Sequence, residues 1–162
     1  MAFWREVFES RARAFPEITT ESAYVDAMAL NLVMKPWQYD VLVTENMFGD
    51  ILSDLIAALV GGMGMAPSAD IGDQHAVFQP AHGTAPDIAG QGIANPTAML
   101  LSVAMMLDWL AVRHADAALA DGARAIESAV RRAFESGAVR PREFGGTSNT
   151  ADITRAVVQG LN

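Results

Sequence analysis

Apolar residues recur at helical spacing through most of the chain. In the first of these stretches, residues 2–14, Phe3, Val7 and Phe8 recur at helical spacing among Arg and Glu residues, which predicts a helix. The same spacing predicts a last helix that is capped by Asn149 or Thr150 and ends near residue 159. Between these two, the pattern predicts four further helices, over residues 22–34, 50–60, 97–112 and 116–136.

The pattern changes in two places. Residues 40–44 (DVLVT) are a short apolar run between polar residues and predict a buried strand, and residues 45–49 predict a turn. Residues 61–96 are rich in glycine and proline, but apolar stretches such as 76–78 indicate a functional segment rather than a linker. This order of elements predicts an α/β fold with too few strands for a complete doubly wound sheet.

Composition narrows the class of protein. The chain has 162 residues, enough for one domain or parts of two, and a formal net charge of -8. That charge disfavours binding to nucleic acid or to an anionic membrane. The absence of cysteine excludes disulfides and thiolate metal sites and fits a cytoplasmic protein. We find no pattern of a signal peptide, and the longest apolar stretch, residues 99–107, is too short to span a bilayer.

Two aspartates stand four positions apart on a predicted helix. Asp50 and Asp54 therefore lie on one face, where their repulsion costs about 0.2–0.5 kcal/mol on an exposed helix. A divalent cation would offset that repulsion and more. The alternative is that Asp50 caps the helix and Asp54 is solvated.

Asp26 has an unusual setting. Its neighbours at helical spacing are Ala23, Ala29, Leu30 and Val33, so it is expected inside an apolar stripe. Because a buried carboxylate without a partner costs several kcal/mol, it needs a hydrogen-bond donor, a proton or a metal ion. A bond to backbone or to a tyrosine is the plain alternative. Three aspartates without Cys or His nearby suit Mg²⁺ or Mn²⁺ rather than zinc.

The most distinctive stretch is the glycine-rich segment 79–96. Its glycines permit unusual backbone shapes and let a ligand approach the main chain. His82 offers a ring for stacking or hydrogen bonding, and Asp87 can accept two ribose hydroxyls, which favours NAD over NADP. The dinucleotide fingerprint G-x-G-x-x-G after a strand is absent, and a purely structural cluster of turns remains an equal alternative.

Four segments of the chain are distinctive when taken together: YVDAMAL at 24–30, NMFGDILSD at 46–54, HGTAPDIAG at 82–90 and GIANPT at 92–97. They resemble signature motifs of the isocitrate/isopropylmalate dehydrogenase family. The resemblance extends over essentially the whole chain and is closest to the isopropylmalate dehydrogenases and the related tartrate/malate branch. It implies an α/β, isopropylmalate dehydrogenase-like fold of which this chain is the C-terminal half.

The resemblance also implies two domains and a shared metal site. Residues 1–61 would belong to the dimerisation and metal-binding domain, with 49–60 as a helical dimerisation element, and residues 62–162 to the dinucleotide-binding domain. Asp50 and Asp54 would bind Mg²⁺ or Mn²⁺ beside the substrate. Asp26 of a second subunit would complete that site, so the protein would be a homodimer.

For the cofactor, the resemblance implies NAD, because NADP-using relatives have Lys-Tyr where this chain has Asp87-Ile88. Gln79 departs from the family, in which Glu is usual at that position. The residues implied to hold the dinucleotide are His82, Gly83, Thr84, Ala85, Asp87, Ile88 and Asn95.

The implied reaction is oxidation of a 2-hydroxyacid by hydride transfer followed by loss of its 3-carboxylate, with the metal as Lewis acid. The acid, the base and the substrate-binding arginines are expected upstream of Met1, and Lys35 does not match the family's lysine. We therefore expect no catalytic residue in the chain itself. The alternative is a non-catalytic, truncated paralogue that acts as a dimerising interaction protein.

Overall fold

The computed structural model describes residues 1–161 and contains two compact units, Met1–Leu52 and Ser53–Asn162. The boundary between these two units, after Leu52, lies inside a helix. It does not test the boundary between functional domains predicted at residue 61, which stays a prediction. Asn162, the last residue of the predicted dinucleotide-binding domain, lies outside the described residues. Within the described part of the chain, every helix is too short or too polar to cross a bilayer.

The first unit contains the helices α1 (Ala2–Ala12) and α2 (Val25–Met34), and a single 3-10 turn, Pro36–Gln38, follows α2. Both helices were predicted, although α2 begins about three residues later than expected. Met28 and Leu32, four positions apart on α2, are buried because they share one face of the helix.

The predicted strand at residues 40–44 is wrong. The segment has no regular secondary structure, and Val41 and Val43 are 80% and 58% exposed. A strand forms only where a neighbouring strand accepts its hydrogen bonds, and no other described segment pairs with this one. An apolar run can indicate the tendency to form a strand, but it cannot supply the partner.

The third helix, α3, spans Asn46–Leu59, so the predicted turn at 45–49 is also wrong. The carboxylate of Glu45 caps this helix by accepting hydrogen bonds from the backbone N–H groups of Met47 and Phe48, both at 3.2 Å. That cap lets the helix begin before Gly49. Asp50 is therefore inside the helix, and the alternative in which it serves as the N-cap is excluded.

The second unit contains a β-hairpin that the sequence analysis did not predict. Strands β1 (Pro67–Ile71) and β2 (Ala76–Pro80) are antiparallel, with Asp70 opposite Val77. The backbone N–H of Gly72 donates to the carbonyl of His75 at 2.9 Å and closes the turn. Short strands in a segment rich in glycine and proline leave little periodic signal, which explains the omission.

Three helices complete the second unit: α4 (Thr97–His114), α5 (Ala117–Glu135) and α6 (Thr150–Gln159). All three were predicted, and Asn149 caps α6 in a reciprocal capping box with Asp152. Helix α4 packs against both strands and against α5, and α5 packs against α6. The apolar core lies between the helices and consists of Ala129, Val130, Ala133, Val139, Ile153 and Val157.

Candidate functional site

An open pocket of about 700 Å³ lies in the second unit, along the glycine-rich segment. It brings together six of the seven residues predicted to hold a dinucleotide: His82, Gly83, Thr84, Ala85, Ile88 and Asn95. The seventh, Asp87, does not line the pocket, but its neighbour Ile88 does. The other lining residues are Gly64, Ala89, Gly90, Gly92, Ile93, Ala94, Arg142 and Glu143.

Hydrogen bonds hold both ends of the glycine-rich loop that lines the pocket, which we call the pocket loop. At its start, Ala81 N–H donates to the carbonyl of Ala66 at 3.1 Å. At its far end, Thr150, the first residue of α6, donates from its N–H to the carbonyl of Gly92 at 2.9 Å and from its hydroxyl to Ala94 O at 2.5 Å. The hairpin before the loop is fixed to α4, because the Ser102 hydroxyl donates to a β2 carbonyl at 2.8 Å.

The backbone within the loop has an unusual shape. Ala85 has φ of 43°, in the left-handed region, and it precedes a 3-10 turn at Pro86–Ile88. A residue with a side chain pays about 1–2 kcal/mol for that conformation, and such residues cluster at ligand-binding sites. A Cβ added at Gly83 or at Gly92 would meet nothing within 4 Å, so the main chain borders open space at both positions. The loop can therefore accept a ligand against its backbone.

His82 and Asp87 are both exposed. The ring Nδ1 of His82 lies 2.8 Å from the carbonyl oxygen of Gly83, which places a hydrogen bond within the loop. The backbone carbonyl of Asp87 accepts from Gln91 Nε2 at 2.8 Å, which stabilises the turn that carries its carboxylate. Both side chains are accessible to a ligand.

Asn95 differs from the other pocket residues because its amide is engaged inside the protein. It is only 7% exposed, and its Oδ1 accepts from the N–H and the hydroxyl of Thr97 at 3.0 and 2.6 Å. Its Nδ2 donates to Glu143 Oε1 at 2.7 Å.

The sequence analysis did not identify Arg142 and Glu143, which form a 3-10 turn with Phe144. They lie 47 and 48 residues beyond Asn95, outside the four segments on which the resemblance rests. Only the folding of the chain shows that they line the same pocket.

The two aspartates of α3 are exposed. Asp50 and Asp54 are four residues apart on one continuous helix and so share its face, and Asp50 Oδ2 accepts from Asn46 Nδ2 at 3.0 Å. Oxygen donors of this kind are the ligands that Mg²⁺ and Mn²⁺ prefer.

The expectation that Asp26 is surrounded by apolar side chains is wrong for the single chain. Asp26 is exposed, and its Oδ1 accepts from the adjacent N–H of Ala27 at 2.8 Å. Leu30 and Val33 on the same helix are 62% and 50% exposed, so nothing in the described residues covers that stripe. The carboxylate is bonded to backbone in the single chain, and its role as a metal ligand stays a prediction.

Within the described residues of one chain, no three His, Asp or Glu side chains come together as a possible metal site. The predicted site takes Asp26 from a second copy, and a single chain does not test that arrangement. The shared site and the homodimer therefore stay predictions.

Comparison with known protein families gives one match over almost the whole chain. The family model described as isocitrate/isopropylmalate dehydrogenase matches residues 1–157. The isocitrate/homoisocitrate dehydrogenase of Thermus thermophilus is 51% identical over 150 residues, which are 93% of this chain and 42% of that protein. The 3-isopropylmalate dehydrogenase of Archaeoglobus fulgidus is 45% identical over 98% of this chain and 46% of its own length.

The fold of the chain is also similar to that of solved structures of dehydrogenases from this family. The crystal structure of isocitrate dehydrogenase from Methylococcus capsulatus superposes with a TM-score of 0.89 and 41% identity, over 99% of this chain and 46% of that one. The chain thus spans less than half the length of the relatives named here. The predicted α/β fold is confirmed as part of a larger fold.

Proposed function

The chain belongs to the isocitrate/isopropylmalate dehydrogenase family, and we propose that it supplies the NAD pocket and three metal-binding aspartates of a decarboxylating 2-hydroxyacid dehydrogenase. The observation that carries the proposal is that six residues predicted to bind the dinucleotide line one pocket. The substrate is a 2-hydroxyacid with a carboxylate at its third carbon. We assign its acid, base and arginine contacts to no residue of these 162.

The pocket suits the adenosine part of NAD. Its volume of about 700 Å³ and its lining of small residues leave room for a base and a ribose, with backbone at Gly83 and Gly92 open to contact. Asp87 stands on the adjoining turn with an exposed carboxylate. A carboxylate accepts hydrogen bonds from ribose hydroxyls and repels a 2′-phosphate, which favours NAD over NADP.

The α3 carboxylates suit Mg²⁺ or Mn²⁺. Asp50 and Asp54 present oxygen ligands from one exposed helix face, and Asp26 of a second copy of the chain is proposed as the third carboxylate. When bound, the ion supplies Lewis-acid polarisation of the hydroxyl and carboxylate oxygens of the substrate. The role of the chain is to hold that ion in place, and a homodimer with α3 at its interface would share the site.

Calorimetric titration tests the two halves of the proposal separately. For the nucleotide, we expect NAD⁺ to bind more tightly than NADP⁺, and Asp87→Asn to reduce that preference by about tenfold, the loss of one charge-assisted interaction. Asp73→Asn, an exposed aspartate outside the pocket lining, is the matched control. Equal effects of the two substitutions, or no binding of either nucleotide, would contradict the assignment of the pocket.

For the metal, we expect Asp50→Asn to weaken Mn²⁺ binding by at least tenfold, because a hard cation loses a charged ligand. Asp108→Asn, which removes an exposed carboxylate from α4, is the matched control and should leave the affinity for Mn²⁺ unchanged. Binding of Mn²⁺ that is insensitive to Asp50 would refute the metal assignment and leave the nucleotide pocket standing.

A further inference from the structure

We propose that Glu143 is a positioning residue of the nucleotide pocket, and that it acts by fixing the side chain of Asn95. The inference rests on the proposed function, because it takes the pocket to be a nucleotide site. Glu143 lies on the 3-10 turn Arg142–Phe144, and its Oε1 accepts a hydrogen bond of 2.7 Å from Asn95 Nδ2. Both residues line the pocket.

The Asn95 amide has little capacity left for a ligand. Its oxygen accepts two hydrogen bonds from Thr97, and its nitrogen donates to Glu143 and approaches the sulfur of Met65 at 3.3 Å. An oxygen has two lone pairs and an NH₂ group has two hydrogens, so these four contacts match the full capacity of the group. Asn95 therefore shapes the pocket wall, and its orientation depends on the acceptor that Glu143 provides.

Gly64 shows how closely Glu143 packs against the residues beside Asn95 at this side of the pocket. A Cβ at Gly64 would lie 2.9 Å from Glu143 Oε1 and 3.1 Å from the Cβ of Asn95. The carbonyl of Gly64 accepts from Ala98 N–H at 2.9 Å, which joins the same point to the first turn of α4. The carboxylate of Glu143 thus lies beside two segments that are distant from it in sequence, one at Gly64 and one at Asn95, at the edge of the pocket.

Two pairs of variants test the inference, with NAD⁺ as the probe in calorimetric titration. Glu143→Ala removes the acceptor and should weaken NAD⁺ binding by about tenfold, the usual effect of leaving a part-buried donor without its partner. Glu143→Gln keeps an oxygen at the same position and should stay within about threefold of the original chain. If only the negative charge of Glu143 mattered, both variants would weaken NAD⁺ binding equally.

Exchanging the donor and the acceptor between Asn95 and Glu143 gives a sharper test of their hydrogen bond. Asn95→Asp keeps the acceptor for Thr97 but sets a carboxylate against Glu143, and we expect a loss of about tenfold or more in NAD⁺ affinity. Adding Glu143→Gln supplies an amide donor to the new carboxylate and should restore affinity to within about threefold. Melting curves of every variant set the titration temperature below all transitions, so that unfolding does not enter the affinities.

The outcomes separate the inference from the function on which it rests. Loss with Glu143→Ala together with rescue in the Asn95→Asp, Glu143→Gln double variant supports the positioning role. Unchanged affinity in Glu143→Ala, or no rescue in the double variant, overturns it while NAD⁺ binding by the original chain stands. If the original chain itself binds no NAD⁺, the assignment of the pocket and this inference are both refuted.

Discussion

The hydroxyl of Thr150 offers a direct way to measure how α6 supports the pocket. Thr150→Val keeps the shape of the side chain and removes the donor to Ala94 O, a bond of 2.5 Å. The backbone bond from the same residue to Gly92 O, at 2.9 Å, remains. The substitution therefore removes one of the two bonds that join α6 to the far end of the pocket loop.

The expected magnitude follows from the loss of one hydrogen bond. Removing such a bond costs about 1 kcal/mol, which corresponds to a fall in Tm of about 2–4 °C for a chain of this size. Because the freed carbonyl belongs to Ala94, which lines the pocket, we also expect NAD⁺ affinity to fall by about threefold to tenfold.

Thr154→Val is the matched control. Its hydroxyl donates to the carbonyl of Thr150 at 2.8 Å, a bond within the helix that does not reach the loop. Urea denaturation measures the change in the free energy of unfolding, and calorimetric titration measures the affinity for NAD⁺. If Thr150→Val and Thr154→Val change affinity equally, the bond from α6 to the loop has no role in the pocket.

Three further substitutions test the fold that carries the site, each by urea denaturation. Ile153→Ala removes a fully buried core side chain and should lower the free energy of unfolding by about 2–5 kcal/mol; a loss below about 1 kcal/mol would contradict its place in the core. Asn149→Ala removes the cap of α6 and should cost about 1 kcal/mol, while Asn149→Asp should retain most of the stability. Gly146→Ala would place a Cβ 1.9 Å from the carbonyl oxygen of Arg140, and we expect a loss of about 3 kcal/mol. Stability equal to that of the original chain would show that this turn has another conformation.

Much of the local structure could be predicted from the sequence because its causes are local. A helix with an apolar face needs only residues three and four positions apart, and all six α-helices of residues 1–161 were expected from that spacing. The Asn149 cap of α6 acts on an amide three residues away, at Asp152. The pocket residues from His82 to Asn95 belong to one continuous loop, so a linear motif could identify them.

Other features depend on contacts between distant parts of the chain. Residues 40–44 have the pattern of a strand but no described neighbour to pair with, whereas the short β1 and β2 pair with each other despite a weak pattern. An apolar stripe predicts burial only if something covers it, and Asp26 is exposed because nothing in the described chain does.

Glu143 shows most clearly what a sequence pattern cannot predict. No local pattern separates it from other exposed glutamates, and only the packing of the second unit brings it to 2.7 Å from Asn95. The sequence by itself determined which segments form helices and which loop holds most of the residues that line the pocket, because those properties arise between near neighbours. The tertiary structure decided which strands pair, which carboxylates are exposed and what completes the pocket, because those depend on residues that only folding brings together.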